Sequence, residues 1–480
     1  MKANKYIAGF LALFAAQSAS ADTFHVTGAT AFRRATIEAV HAIFNNDPLD
    51  AVFSYASNKS GTDYINADFI TFKGTLTGLG ATTIRCSFNG SIEGLRALAE
   101  PGQSGIPGTD GNPYFIKDSS VEVTATVSGA GQTISGISTS TPGTSTHVDR
   151  GVADMAFSDT DKAISPYISA PMSAPLDSPA SLVFALVNSD GGGITNVTTQ
   201  QYNSLLSNGI VQKSFFTGLT ADQTKKVVCT GRNDGSGTRS SYLAEMGFGV
   251  SNPVNQYLVV SATGATSDQI KAIQQVPAAG TNDTDSGTAG VQLPVSDLKT
   301  FDEAGANAQA RVTQLETSAS TVWGQSVNGN GGAFSGSVLR DHLIRKGASV
   351  RFFDAAGAGL YENVPQTNVS LISWISLNDA ITARSGGATI CAFNGVSIDV
   401  NGAGNTLTDL DKFKIFRGAY TAWNRQQFYI LDSKLATATE TIYTSIWNSV
   451  ANGNLGAAGL KNTDFTIGRT EDGGTINVVD

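Results

Sequence analysis

Cysteine is scarce in this chain, which has three cysteines among 480 residues. Cys86, Cys229 and Cys391 lie far apart, and each falls within a strand-like run. Because no pair has the spacing of metal ligands, we expect no metal site, and no motif predicts a cofactor. Buried thiols are the first interpretation of these positions. One disulfide in an oxidising compartment is the alternative.

Charged residues are also few, at 15% of the sequence, and the formal net charge is −9. An acidic chain of this kind is not typical of a general nucleic-acid-binding protein, so we expect no nucleic-acid partner. A small anion remains a reasonable ligand, because its binding depends on local hydrogen-bond donors rather than on the net charge.

Long hydrophobic runs are missing, and no apolar stretch is long enough to span a bilayer. The run Ile7–Ala16 follows Lys2 and Lys5 and precedes the small residues Ala19-Ser20-Ala21. This order is typical of a secretory signal, so we predict a leader over residues 1–21 with cleavage near Ala21. The mature protein would be periplasmic or secreted, and the loss of two lysines would change its formal charge from −9 to −11.

A strand, a turn of small residues and a helix recur along the chain, which favours an α/β architecture with ligands at the strand ends. The predicted units are strand Thr23–Thr27 with helix Ala31–Phe44, strand Thr83–Phe88 with helix Ile92–Ala99, strand Val152–Phe157 ending at Ser158-Asp159, and the strand ending at Val227-Val228 with helix Arg239–Met246.

The fourth turn, Arg232-Asn233-Asp234-Gly235-Ser236-Gly237-Thr238, carries the strongest chemical signal. A helix N-terminus has free N–H groups and partial positive charge, so it attracts anions. Ser236 and Thr238 add hydroxyl donors, Arg232 adds a planar fork that fits a tetrahedral oxyanion, and Asp234 adds an acceptor. The alternative is a Gly-Ser turn with an ordinary helix N-cap.

Other stretches predict the scaffold around these turns. Ser181–Asn188 lacks alternation, as expected of a strand buried on both faces, and is a candidate crossover between two lobes. Val369–Leu377 predicts another buried strand, and Phe416–Leu431 predicts a turn followed by an aromatic helix, because its aromatics have helical spacing. The polar stretches at about 101–150 and about 262–297 predict insertions or surface loops.

The four turns resemble, in order, the anion loops of the periplasmic phosphate-binding proteins of phosphate ABC importers. The stretches concerned are VTGATAFRRA, IRCSFNGSIEGLRAL, VADMAFSDTD and RNDGSGTRSSYL, followed by VWGQSVNGNGGAFSGSVL, LISWISLNDA and FRGAYTAWNRQQFYIL, which resemble later segments of the family. The chain departs from the family in its two insertions, in the tandem Arg33-Arg34, and in Arg239 directly after Thr238.

The resemblance implies an α/β, two-lobed periplasmic-binding-protein fold of type 2 with a hinged cleft. Lobe 1 would comprise residues 22–182 and 392–480, and lobe 2 residues 183–391. The implied partners are inorganic phosphate and a membrane ABC permease, and we expect a monomer. The ligand contacts carried over from the family are Thr30, Ala31, Ser91, Ser158, Asp159, Arg232, Ser236, Gly237 and Thr238.

Asp159 would be the selective residue at such a site. Phosphate near neutral pH carries a proton through which it can donate a hydrogen bond to a carboxylate. Sulfate has no such proton, so its oxygen would repel the carboxylate and leave it without a hydrogen bond. We expect Arg232 to hold Asp159 ionised through its opposite charge. The alternatives are a helix N-cap role for Asp159, ahead of a helix over Thr160–Ile164, and a surface ion pair for Arg232.

Three other functions remain open from the residues alone. The same fold could bind sulfate, arsenate or molybdate, or it could serve as a secreted adhesion or envelope protein. An enzyme is the least favoured, because Gly235-Ser236-Gly237 is not a nucleophile elbow. The four histidines also form no recognisable triad or metal motif: they are His25, His41, His147 and His342.

Overall fold

The structure is a computed structural model that describes most of the chain from Asp22 to Val478. The described residues are 22–47, 53–59, 61–88, 90–101, 112–121, 130–133, 146–189, 193–233, 235–260, 272–275, 332–333, 335–344, 349–353, 359–398, 400, 407–453 and 459–478. The predicted leader and Asp234 lie outside them, as do most of the two predicted insertions and most of the stretch VWGQSVNGNGG.

Twenty-four strands are found in the described residues. They are β1 (Asp22–Gly28), β2 (Ser54–Ser57), β3 (Phe69–Leu76), β4 (Gly80–Ser87), β5 (Tyr114–Ile116), β6 (Ala130–Thr133), β7 (Val148–Arg150), β8 (Met155–Ser158), β9 (Met172–Ser173), β10 (Ala180–Asn188), β11 (Asn196–Val197), β12 (Ile210–Gln212), β13 (Lys226–Cys229), β14 (Tyr257–Val260), β15 (Ala272–Gln275), β16 (Ser349–Phe353), β17 (Gly359–Pro365), β18 (Val369–Ser376), β19 (Thr389–Ile390), β20 (Ala392–Phe393), β21 (Trp423–Leu431), β22 (Gly459–Leu460), β23 (Ile467–Gly468) and β24 (Asn477–Val478).

The α-helices of the described residues interleave with these strands. They are α1 (Arg33–Asn45), α2 (Ser91–Ala99), α3 (Thr199–Asn208), α4 (Ser214–Thr217), α5 (Gly237–Glu245), α6 (Gly336–Ile344), α7 (Leu377–Ser385), α8 (Asp409–Phe416) and α9 (Ala438–Asn452). The predicted α/β class is therefore confirmed.

One large mixed sheet organises the molecule, in the order β12-β13-β18-β10-β21-β8-β1-β4-β3-β2-β6. Strand β1 is parallel to β4 and to β8, so the carboxyl ends of these three strands lie at the same edge. Strand β13 is parallel to β18, which is antiparallel to β10. Because β10 and β8 are both antiparallel to β21, β13 runs opposite to β8.

Strand β10 joins the two parts of this sheet, which are β12-β13-β18 on one side and β21-β8-β1-β4-β3-β2-β6 on the other. Its first residues, Ala180–Val183, pair with β21, and its last residues, Phe184–Asn188, pair with β18. All nine of its residues are buried, as its continuous apolar sequence predicts. The two parts of the sheet are thus displaced along β10, and the carboxyl end of β13 faces those of β1, β4 and β8.

The prediction for Phe416–Leu431 is wrong in its helix. Helix α8 ends at Phe416, Gly418 follows with a φ of +78°, and Trp423–Leu431 form the strand β21. The aromatics are buried between β8 and β10 because β21 is an interior strand of the sheet. The spacing of Trp423, Phe428 and Tyr429 mimics a helical stripe, and tertiary pairing decides against it.

The described parts of the two predicted insertions contain strands. Strand β6 pairs with β2 at the edge of the large sheet, and β5 pairs with β7. Strand β15 lies in a separate four-stranded sheet between β14 and β16. No helix of the described residues is long and apolar enough to cross a membrane.

Candidate functional site

Three chain turns and one helix N-terminus meet where the strand ends face each other. The turns after β1, β4 and β8 carry Thr30, Ser91 and Asp159, and α5 begins at Gly237 after β13. Their meeting follows from the opposite directions of β8 and β13, which bring residues far apart in sequence to one place. We call Thr30, Ser91, Asp159, Arg232, Ser236, Gly237 and Thr238 together the anion site, after the ligand class that the sequence predicts.

Asp159 lies at the centre of the anion site and is 2% exposed. The Ser91 hydroxyl donates to Asp159 Oδ1, and the Thr238 hydroxyl donates to Asp159 Oδ2 at 3.2 Å. The backbone N–H of Asp159 donates to Ser91 Oγ at 3.2 Å. The carboxylate therefore links the first turn of α2, the turn after β8 and the first turn of α5.

Gly237 is the residue that makes this approach feasible. A Cβ atom at Gly237 would overlap Asp159 Oδ1 and would lie 2.6 Å from both Cβ and Oγ of Ser91. Gly237 also contributes its carbonyl oxygen, which accepts from the Thr160 hydroxyl at 2.8 Å. Only glycine lets the backbone of α5 come this close to the carboxylate.

Burial raises the pKa of Asp159 above the ordinary value of an aspartate. The hydroxyls of Ser91 and Thr238 and the positive charge of Arg232 each lower this pKa, but burial outweighs them. Arg232 acts in the predicted direction, and the loss of solvent is the larger effect.

Arg232 is 2% exposed, so the alternative of a surface ion pair is wrong. Its Nε donates to the Ala333 carbonyl at 2.9 Å, and one terminal nitrogen lies 3.5 Å from Thr30 Oγ1. The guanidinium thus spans from the segment before α6 to the turn after β1, where Ala31 follows Thr30 in a short 3-10 helix.

Two of the predicted serines have local partners. Ser236 is the N-cap of α5, and its Oγ accepts from the Arg239 N–H at 3.4 Å. The N–H groups of Gly237 and Thr238, in the first turn of α5, have no acceptor within the helix. The Ser158 hydroxyl donates to the Thr160 carbonyl at 2.6 Å, so its proton stays within its own turn.

The N-cap alternative for Asp159 is also wrong. The short 3-10 helix after β8 spans Lys162–Ile164, and its cap is Asp161, which accepts from the Ala163 N–H at 2.9 Å. Asp159 is held instead by groups of α2 and α5. Its carbonyl oxygen further accepts from Ser241 and Asn424, each at 3.2 Å.

The additional arginines have three different environments. Arg33 pairs with Asp68, and Arg34 pairs with Glu38 on an exposed face at 2.9 Å. Arg239 is 1% exposed and donates to the Arg232 carbonyl at 3.3 Å, where the Gln256 amide also donates at 3.0 Å. Arg239 and Gln256 therefore support the backbone from which the Arg232 side chain extends.

Two features of the site were not predicted from the sequence. The Gly235 carbonyl accepts from the N–H groups of Ile92 and Glu93 and so caps the N-terminus of α2. Asn233 is fully buried, and neither polar atom of its side-chain amide has a hydrogen-bond partner among the described residues. A buried amide of this kind calls for a water or ligand partner. Its position between Arg232 and Asp234 was the only sequence signal.

The three cysteines lie in or beside buried strands. All three are buried and free, which confirms the first interpretation of their positions. Burial raises the pKa of Cys229 and of Cys391 to about 12, and that of Cys86 higher still. Within the described residues, no group of three His, Cys, Asp or Glu side chains is arranged to hold a metal ion.

The arrangement suits a small anion that also has a proton to donate. Two hydroxyls, a guanidinium and the N-terminus of α5 supply donors, whereas Asp159 supplies an acceptor. Each carboxylate oxygen has two lone pairs, so Asp159 can accept a further hydrogen bond beside those of Ser91 and Thr238.

Comparison with known proteins gives structural matches only. No family model matches the sequence, and no curated protein matches it. A phosphate transport receptor of the ABC type from Vibrio cholerae is 11% identical, with 89% of this chain and 94% of that chain covered and a TM-score of 0.38. A phosphate ABC transporter substrate-binding protein from Clostridium perfringens, solved with phosphate, is 10% identical, with 88% and 93% covered and a TM-score of 0.37.

Proposed function

We propose that this chain is an extracytoplasmic solute-binding protein that captures inorganic phosphate and delivers it to a membrane ABC importer. Residues 22–182 with 392–480, and residues 183–391, would form the two lobes that close on the anion. The observation that carries the proposal is the buried Asp159, on which hydroxyls from two other chain segments converge beside Arg232.

Phosphate suits this donor set energetically. A charge-assisted hydrogen bond contributes roughly 1.5–3 kcal/mol, and micromolar affinity requires only about 8 kcal/mol of binding free energy. Thr30, Ser91, Arg232, Ser236 and Thr238, with the N–H groups of Ala31 and Gly237, would supply more than enough donors. The hydroxyls of Ser91 and Thr238 would turn from Asp159 toward the anion. Asp159 would then accept a hydrogen bond from the protonated oxygen of the phosphate.

Asp159 also determines which anions compete. Sulfate has no proton at neutral pH, so one of its oxygens would face the carboxylate without a hydrogen bond. Arsenate carries a proton like phosphate does, so this residue alone does not reject it. A catalytic role is not favoured, since Ser236 serves as the N-cap of α5, where its Oγ accepts from the Arg239 N–H.

Calorimetric titration of the chain from Asp22 onward, after unfolding and refolding to remove bound anion, tests the proposal. We expect micromolar or tighter phosphate binding that excess sulfate does not reduce. Asp159→Asn and Arg232→Ala should each weaken phosphate binding by roughly tenfold or more. Glu38→Gln and Arg34→Ala change the exposed ion pair of α1 and should leave the affinity unchanged.

Each other outcome has a definite meaning. Equal affinity for sulfate and phosphate would remove the selective role of Asp159 and favour the second candidate, a binding protein for another oxyanion. No heat with phosphate, sulfate, arsenate or molybdate would contradict oxyanion binding and favour an adhesion or envelope role.

A further inference from the structure

A segment near the C-terminus of the chain lies against two elements that carry residues of the anion site. We call residues Arg469–Gly473 the C-terminal strap. The strap contacts α5, whose N-terminus carries Ser236–Thr238, and it also contacts the turn after β8, which carries Asp159. None of the sequence motifs points to this segment.

Arg469 attaches the strap to α5, to β21 and to the residues just before β21. One of its terminal nitrogens donates to Glu245 Oε2 at 2.8 Å, and the other donates to the Thr421 carbonyl at 2.9 Å. The guanidinium also stacks over the ring of Trp423, with 4.3 Å to the ring centroid. The side chains of Arg469 and Glu245 are 2% and 11% exposed, so solvent screens this ion pair little.

The other end of the strap attaches to the Asp159 turn. Oδ2 of Asp472 accepts from the Asp161 N–H at 2.7 Å, two residues after Asp159. Gly473, with a φ of +71°, lies against Ala244 of α5, and a Cβ atom there would be 2.7 Å from the Ala244 side chain. One short segment therefore touches both elements that carry Asp159 and its partners Gly237 and Thr238.

Asp472 is 5% exposed and lies in a mostly acidic environment. Burial raises the pKa of Asp472 to about 8. The Asp161 N–H and Arg469 lower this pKa, and the negative charges of Asp161 and Asp159 raise it. The charged and titratable groups that act on it are Asp161 and Asp159 of the turn after β8, Tyr429 of β21 and Arg469 of the strap itself, and Arg469 is in turn paired with Glu245 of α5.

We propose that the C-terminal strap is a positioning element for the anion site: Arg469 and Asp472 fix α5, through contacts at its C-terminal end, relative to the turn that carries Asp159. This inference rests on the proposed phosphate function. The raised pKa of Asp472 favours its protonated form near neutral pH, in which it adds no negative charge beside Asp159 and Asp161. As the pH rises through about 8, the carboxyl ionises close to Asp159 and Asp161, which adds negative charge beside a bound anion and repels the turn.

Phosphate affinity at pH 7 and at pH 9 in the wild type, Asp472→Asn and Glu38→Gln tests the inference. Asn keeps an oxygen that can accept from the Asp161 N–H but cannot ionise. We expect wild type and Asp472→Asn to bind equally at pH 7, and the variant to bind roughly three- to tenfold more tightly at pH 9. The comparison within one pH cancels the titration of phosphate itself, and Glu38→Gln should follow the wild type.

Glu245→Gln tests the other attachment without altering Asp472. We expect phosphate to dissociate several-fold faster from this variant in stopped-flow measurements, because α5 loses its charged contact with Arg469. Identical pH profiles for wild type and Asp472→Asn, or an unchanged dissociation rate in Glu245→Gln, would overturn the inference.

The failure of the proposed function has a different signature. If neither the wild type nor any variant binds phosphate at either pH, the proposed function is wrong. Hydrogen exchange at the Asp161 amide then tests whether the strap holds the Asp159 turn in place. Faster exchange at pH 9 in wild type than in Asp472→Asn, after correction for intrinsic rates, would retain the strap as a structural clamp. Equal exchange rates in the two proteins at pH 9 would contradict the clamp as well.

Discussion

The buried carboxyl of Asp159 is stable at its position because its oxygens and both backbone polar groups are hydrogen-bonded. Ser91 and Thr238 satisfy its side chain, and Ser241 and Asn424 satisfy its carbonyl oxygen. Removing one partner of such a group leaves a desolvated polar atom, which costs roughly 1–3 kcal/mol. The anion site is therefore preorganised by hydrogen bonds that a ligand can later take over.

Gly237 provides the sharpest test at the scale of one residue. Gly237→Ala places a methyl group where Asp159 Oδ1 and the Ser91 hydroxyl lie, so α5 must move away from the turn after β8. We expect phosphate affinity to fall by roughly tenfold or more and stability to fall by about 1–3 kcal/mol. Calorimetric titration and denaturant unfolding measure the two effects.

Gly247→Ala is the matched control, just beyond the other end of α5. Gly247 has a φ of +60°, and a Cβ atom there would meet nothing within 4 Å. The substitution should cost about 1 kcal/mol of stability through backbone strain, with no change in affinity. An equal loss of affinity in both variants would mean that helix strain, rather than the clash with Asp159, explains the result.

At the scale of elements, two helix caps of the same kind separate stability from binding. Ser236 caps α5 at the anion site, and Thr198 caps α3 through a capping box with Gln201. We expect Ser236→Ala and Thr198→Ala each to cost about 1 kcal/mol of unfolding free energy. Only Ser236→Ala should also weaken phosphate binding. Equal phosphate affinity in the two variants would exclude Ser236 as a ligand.

Elements whose local pattern and burial agree could be predicted from the sequence. Strands β10 and β18 have continuous apolar runs, and both are buried along their whole length. A helix after the Ser-Gly-Thr turn is confirmed, although α5 begins at Gly237, two residues before the predicted Arg239. Strand β21 could not be predicted, because its helical spacing of aromatics is overridden by pairing with β8 and β10.

At the scale of the whole molecule, strand β10 couples the two parts of the large sheet. Because one buried strand pairs with both β21 and β18, neither part can lose its pairing without disturbing the other. We expect the region described by the structure to unfold in one cooperative calorimetric transition. Phosphate at a hundred times its dissociation constant should stabilise the folded state by about 2.7 kcal/mol. Two separated transitions, with only one shifted by phosphate, would contradict this coupling.

The sequence by itself determined the residue types at the turns, the α/β class and the buried strands, because these follow from local periodicity and from the chemistry of small residues after a strand. Only the tertiary structure decided which groups meet. The contact of Gly237 with Asp159, the cap of Gly235 on α2 and the strap around Asp472 each join residues far apart in sequence. The raised pKa of Asp159 belongs to the same class, since burial is a property of the packed molecule and outweighs the nearby charge of Arg232.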